Sequence, residues 1–344
     1  GGDPQKGLKT LEDSTPRHVE MAQKLIANNA VDIAVEETPD FIHLDLTLSA
    51  GENCCRVVVK GTHTNVVELY INGQPQPLSE KQNTRTQRET LPTFSLQQAY
   101  DFINCIDFND IRFILDAARL NSALAAEGKT KKYGLNINGT FSDAVKNGLM
   151  SNDLLSKVII NTVAASDARM GGAPVVAMSN FGSGNQGITA TMPVVVVAEH
   201  LGVDEETLAR ALSLSHLTAI SIHSRYTRLS ALCAASTAAM GAAAGMAWLF
   251  TRDINTINTA IINMVSDITG MICDGASNSC AMKVSSVVSS AFKAVLMAMQ
   301  NSCAGANDGI VCADVEQTIN NLCRLVIKPM TLTDKEIISI MVAK

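Results

Sequence analysis

The sequence predicts an α+β protein: a small antiparallel sheet-plus-helix domain at the N-terminal end, followed by a large all-α helical domain. Two patterns carry this reading. Alternation of apolar and polar residues at a period of two is confined to the first 83 residues. Beyond residue 95 strand signals almost vanish and apolar residues recur at helical spacing. The expected domains are residues 1–83 and 95–344, joined by a linker at 84–94. Pro75, Pro77 and the run KQNTRTQRE mark the polar approach to that linker.

Residues 16–29, PRHVEMAQKLIANN, place Val19, Ala22, Leu25 and Ile26 on one helical face. Strand-like runs follow at 31–35, 41–48, 55–60 and 65–73, the last ending in the turn pair Asn72-Gly73. Three or four antiparallel strands with a helix on one face fit this order. In the second domain helices are expected at 96–106, 110–127, 140–148, 152–165, 204–218, 229–250, 256–268, 285–300, 314–325 and 333–342. Asp204, followed by Glu205 and Glu206, is a good helix opening, because acidic side chains accept from the free amides of a first turn. Asp314 and Thr333 resemble capping positions in the same way.

The 344 residues are 47% hydrophobic but only 4% aromatic, with Trp248 the one tryptophan. The core must therefore be built from Ala, Val, Ile, Leu and Met. With 27 basic and 33 acidic residues the net charge is −6, which argues against a nucleic-acid or anionic-membrane partner. Nine scattered cysteines, an odd number, are no disulfide framework. With no secretory leader legible, a reducing cytoplasm is the expected compartment. Residues 229–250 are long enough for a membrane span, but their apolar character comes mostly from Ala, so a buried helix is expected. The run 188–198 is too short to span. A homodimer is a guess from the apolar content.

Three cysteines bound the most informative stretch. Cys233 lies among Ala, Gly, Ser, Thr and Met, whose small side chains let backbones approach closely. Cys273 and Cys280 bracket Asp-Gly-Ala-Ser-Asn-Ser, a turn-forming run. Iron–sulfur clusters take thiolate ligands, usually four, so three leave one iron open as a Lewis acid. The spacing matches no standard ferredoxin or zinc pattern, and on spacing alone buried structural thiols are the favoured reading.

A second motif runs from Ser166-Asp-Ala-Arg-Met-Gly-Gly to Ser179-Asn-Phe-Gly-Ser-Gly-Asn-Gln-Gly. Ser179, Asn180, Ser183, Asn185 and Gln186 offer donors to a substrate carboxylate, and the loop stands where a helix could begin. It is neither a P-loop nor a dinucleotide fingerprint; a plain glycine-rich connection is the alternative. His200, His216 and His223 read as packed or surface residues. His63, between two strands beside hydroxyls, and Lys283, three residues after Cys280, are candidates for catalysis.

The runs SDARMGGAPVVAMSNFGSGNQGITATMPVVVVAEHLG, RLSALCAASTAAMGAAAGMAWLF and GMICDGASNSCAMK resemble the L-cysteine desulfidase family, which is related to the α chain of bacterial iron–sulfur L-serine dehydratases. The resemblance covers nearly the whole chain. It implies a [4Fe–4S] cluster held at Cys233, Cys273 and Cys280. It also implies α,β-elimination from L-cysteine to pyruvate, ammonia and sulfide, with the small amino acid as the partner. L-Serine dehydratase, or a non-catalytic iron–sulfur or thiol sensor on the same scaffold, are the other readings. The family carries a further N-terminal segment with a Gly-Cys-Thr-Glu-Pro motif, whose cysteine is the proposed base. Cys54, Cys55 and Cys105 do not match it, and the chain opens Gly-Gly-Asp-Pro without methionine. An N-terminally truncated form lacking its base is the expectation, and the catalytic residue stays unassigned.

Overall fold

The structure is a computed structural model and describes residues 2–3, 6, 10–36, 38, 42–61, 65–78, 93–226 and 229–343. Its fold is α+β. The chain divides into two compact units, Gly1–Pro92 with Val342–Lys344, and Thr93–Met341. Most of the expected linker, residues 84–92, lies outside the described residues.

In the first unit α1 (Pro16–Ala27) opens at Thr15, whose side chain accepts from the amide of His18 while His18 returns the bond. None of its residues is buried, so its apolar stripe does not build a core. Strands β1 (His43–Ala50), β2 (Asn53–Lys60), β3 (Val66–Ile71) and β4 (Gln74–Pro75) form one antiparallel sheet in chain order. Leu46 pairs with Val57 and Val57 with Leu69, which fixes an apolar face. Asn72 and Gly73, at φ 49° and 76°, make the expected tight turn into β4. Residues 31–35 are not a strand: Val31, Ile33 and Val35 stay exposed in irregular backbone. Periodicity sets the faces of a strand but supplies no partner to pair with.

The second unit begins with α2 (Leu96–Cys105), α3 (Phe108–Ile111), a short 3-10 turn (Arg112–Ile114) and α4 (Leu115–Gly128). Then come α5 (Ile137–Lys146), α6 (Leu154–Met170), α7 (Gly184–Leu201) and α8 (Glu205–His223). The rest are α9 (Ala234–Thr251), α10 (Ile254–Ile268), α11 (Cys280–Met299), α12 (Val315–Ile327) and α13 (Met330–Val342). Asp153, Ser183, Asp204, Asp253 and Asp314 each accept the backbone N–H three residues on, which sets the starts of five of these helices.

Helix α9 is the hub, packed against α7, α8, α10 and α11. A Cβ on Gly241 would stand 2.3 Å from the Ser215 carbonyl of α8, so only glycine permits that crossing. The largest fully buried side chains, such as Ile188, Leu212, Leu214, Met240, Met246 and Ile261, are all aliphatic, as the composition requires.

Three boundaries differ from expectation in ways that shape the site. Helix α9 starts at Ala234 rather than 229, because residues 231–233 pair with 271–273 instead. Helix α11 starts at Cys280 rather than 285, placing that thiol in a first turn. Helix α13 starts at Met330, so Thr333 is not its cap. Among the described residues it is α11, not residues 229–250, that is long and apolar enough to cross a membrane, and ten of its twenty residues are buried in the protein.

Candidate functional site

The three thiols are brought together by backbone pairing. Leu232 and Ile272 form an isolated antiparallel bridge. The amide of Cys233 donates to the Met271 carbonyl at 2.9 Å, and that of Cys273 to the Ala231 carbonyl at 2.7 Å. This register puts Cys233 and Cys273 on the same face of the bridge, as diagonal neighbours. After Cys273 the chain turns through Gly275 at φ 99° and re-enters a helix at Cys280. The Cys280 sulfur accepts the Ser277 amide at 3.5 Å and donates to the Gly275 carbonyl at 3.6 Å. Burial, with the Cys273 and Cys280 thiols adding to it, pushes Cys233 up to about 11, while Lys283 opposes the shift. All three thiols are free.

Two cations adjoin them. Burial lowers the pKa of Lys283, but its ion pair with Asp274 and the nearby Cys233 and Cys273 thiols outweigh that and raise it overall. Arg169, at the end of α6, is held below its ordinary pKa by burial, and the Cys280 thiol acts against that shift.

The polar loop leads into α7. Asn180 and Ser183 exchange backbone bonds of 3.1 and 2.9 Å around Phe181 and Gly182, at φ 49° and 87°. A phenylalanine in that region is strained by roughly 1 kcal/mol. It is held there by stacking on His223, with ring centroids 4.3 Å apart.

Beneath the turn lies a chain of buried side chains that runs in one direction. Gln186 Oε1 stands 2.9 Å from His223 Nδ1, and Gln186 Nε2 donates to Asn180 Oδ1 at 3.0 Å. Asn180 Nδ2 meets His216 Nδ1 at 2.9 Å, and His216 Nε2 meets Thr191 Oγ1 at 3.0 Å. Thr191 gives its own proton to the Gly187 carbonyl at 2.7 Å, so it accepts from His216. That fixes His216 as the neutral Nε2–H tautomer, and burial lowers its pKa to about 4. His223 stacks on Tyr226, whose hydroxyl reaches Thr237 at the start of α9, 2.6 Å away. The chain thus runs from the loop to the helix that Cys233 precedes.

Each residue singled out in the sequence now has a place. Cys233, Cys273 and Cys280 are gathered, with Lys283 beside them. Asn180 and Gln186 are buried and spend their amides on the internal chain. Ser183 caps α7 and Asn185 bonds Ser166 at 3.2 Å, while Ser179 is exposed. His63 lies outside the described residues, and His200 is exposed. The sequence reads His216 and His223 as packed or surface residues, and both are buried. Their roles depend on partners 25 to 37 positions away, which no local pattern reveals. A separate open groove of about 720 Å³, lined by Phe94, Glu316, Cys323, Arg324 and Lys328 among others, includes none of Cys233, Cys273, Cys280 or the loop residues.

These features define a helical, thiol-bearing domain preceded in sequence by a small sheet-containing unit. The chain matches the family model described as serine dehydratase alpha chain over residues 5–339 and belongs to that family. It is 98% identical over its 344 residues to a UPF0597 protein of Klebsiella pneumoniae subsp. pneumoniae, covering 81% of that protein. The UPF0597 protein YhaM of Salmonella typhi is 49% identical, with all of this chain and 80% of the relative covered. Membership supports a serine dehydratase-like lyase of amino-acid catabolism; the UPF0597 names carry no specific activity.

The donor set can be weighed against the cluster that the resemblance implies. Among the described residues no three His, Cys, Asp or Glu side chains converge closely enough for a single metal ion. Diagonal neighbours across an antiparallel pair stand roughly 7 Å apart, and a four-iron cluster spreads its ligands wider than one ion does. Three soft sulfur donors suit iron–sulfur chemistry. Burial keeps Cys233 protonated, so it would need a centre that binds thiolate strongly to act as a ligand. Ser236, in the first turn of α9, also has a buried hydroxyl without a partner among the described residues. The residues fit a cluster better than a single ion.

Proposed function

We propose that this protein is an iron–sulfur lyase that eliminates the β-substituent of a small L-amino acid, with L-cysteine as substrate. The observation that carries the reading is the meeting of Cys233, Cys273 and Cys280 beside the turn that opens α7, in a chain of the serine dehydratase alpha family. The three cysteines would hold a [4Fe–4S] cluster, which when bound supplies Lewis acidity at the iron without a protein ligand. In the reaction the Cα proton is removed, the Cβ–S bond breaks and sulfide leaves. The aminoacrylate that remains tautomerises and hydrolyses to pyruvate and ammonia.

The chain's own contribution is positioning. Ser179, Ser183 and Asn185, with the first amides of α7, would orient the carboxylate and amine. Asn180 and Gln186 support that turn from below through His216 and His223. Lys283, kept protonated by Asp274, adds positive charge where an anion departs. Nine free cysteines accord with a reducing, cytoplasmic setting.

A second reading has L-serine as substrate, and the name of the matching family favours it. The test is an anaerobic assay of the reconstituted chain, and of the longer Klebsiella pneumoniae relative, with each amino acid. Pyruvate and sulfide formed from L-cysteine faster than pyruvate from L-serine support the first reading; the reverse order supports the second. No pyruvate from either substrate in either protein refutes both.

A further inference from the structure

Arg169 lies one residue before the end of α6, against Gly184 at the start of α7 and near Cys280 at the start of α11. A guanidinium keeps its charge at any ordinary pH, so partial burial demands a counter-charge. Among the described residues Arg169 makes no ion pair with a carboxylate. Its Nη1 donates instead to the thioether of Met170 at 3.0 Å, a weak acceptor. Asn185 Nδ2 shares that sulfur at 3.4 Å, so the arginine and the start of α7 are fastened at one atom. Helix α7 also makes room for the group. A Cβ on Gly184 would fall 2.2 Å from Arg169 Nε, so residue 184 must lack a side chain for the guanidinium to lie there. The Cys280 thiol is near enough for their charges to interact. A planar five-donor fork, held against a helix start, near the Cys280 thiol and lacking a carboxylate partner among the described residues, is a receptor for a carboxylate.

We infer that Arg169 is the residue that binds the α-carboxylate of the substrate, which makes the ligand class a small α-amino or α-hydroxy acid. This rests on the lyase reading and adds to it a residue outside the expected binding set. The carboxylate takes a bidentate pair of bonds from the guanidinium, and its β-substituent is thereby turned toward the cysteines. Gly184 is the specificity partner, because any side chain there evicts the fork.

The experiment uses the anaerobically reconstituted chain with Arg169→Met, Arg169→Lys and Gly184→Ala. Three quantities are read: KM and kcat with L-cysteine, iron content, and the melting-temperature shift given by L-cysteine against cysteamine, which lacks the carboxylate. The wild type should be stabilised by L-cysteine and not by cysteamine. Arg169→Met should lose that shift and raise KM roughly 10- to 100-fold, the worth of a charge-assisted pair. Its kcat should change less, and its iron content should match wild type. Arg169→Lys should lose less, and Gly184→Ala, which keeps the arginine but displaces it, should raise KM in the same direction. Because the lysine variant preserves charge and bulk, misfolding of the methionine variant would leave two variants to decide. Arg169→Lys and Gly184→Ala both with wild-type KM and shift would overturn the inference alone. So would loss of iron with an unchanged KM, since the arginine would then serve the thiols. A wild type with neither turnover nor a shift specific to L-cysteine would overturn the lyase reading, and this inference with it.

Discussion

The side-chain amide of Asn180 meets Nδ1 of His216 at 2.9 Å, with both residues buried. The bond requires an imidazole that accepts on that nitrogen, so the neutral form is built into the fold. With a folded pKa of about 4, below the ordinary value of 6.5, His216 binds its proton more weakly folded than unfolded. Stability from this residue is therefore complete above pH 6.5, and it is lost as pH falls from 6.5 toward 4. Between pH 7 and 5 the expected loss is about 2 kcal/mol. Denaturant unfolding at the two pH values measures it, and His216→Gln should flatten the dependence by that amount while lowering stability at pH 7.

Asn180→Asp reverses the polarity of the bond. A carboxylate only accepts, so His216 must carry a proton on Nδ1, and the pair becomes imidazolium and carboxylate. The His216 titration, followed by NMR of its ring protons, should move from about 4 to above its ordinary 6.5. An unmoved titration would mean that the amide does not set the tautomer.

Gly241→Ala tests the packing of the central helix. The added methyl would meet the Ser215 carbonyl at 2.3 Å and the Ala219 side chain at 3.1 Å, in a core with no room to give. A loss of roughly 1–3 kcal/mol is expected for such overpacking. A melting temperature equal to wild type would show that α8 and α9 can separate at little cost.

Much of this molecule was legible in its sequence, and the parts that were not share a cause. The sheet followed from alternation and the Asn72-Gly73 turn, and the helix starts at Asp204 and Asp314 from acidic caps, all signals contained within a few residues. Helix α7 was read as an apolar segment behind a loop where a helix could begin, and no helix range was assigned to it. Its four consecutive valines and Pro193 are poor helix formers, and the helix stands because tertiary packing buries most of its residues, Pro193 included. The bridge between Leu232 and Ile272 joins positions forty apart and moved the start of α9, a pairing that no local window contains. Cys233, Cys273 and Cys280 were singled out as ligand candidates from composition, turn chemistry and resemblance. The register that gathers them, and the buried route through Gln186, Asn180 and His216, came only from the folded chain.

The most direct test of the central claim is anaerobic iron and acid-labile sulfide analysis of the reconstituted chain, with its visible spectrum. The account predicts about four irons and four sulfides per chain, the composition of a [4Fe–4S] cluster. Cys233→Ala should abolish them, and Cys105→Ala, which removes an exposed thiol, should leave them intact. No incorporation, or incorporation indifferent to Cys233→Ala, would contradict it and leave the three thiols as structural groups.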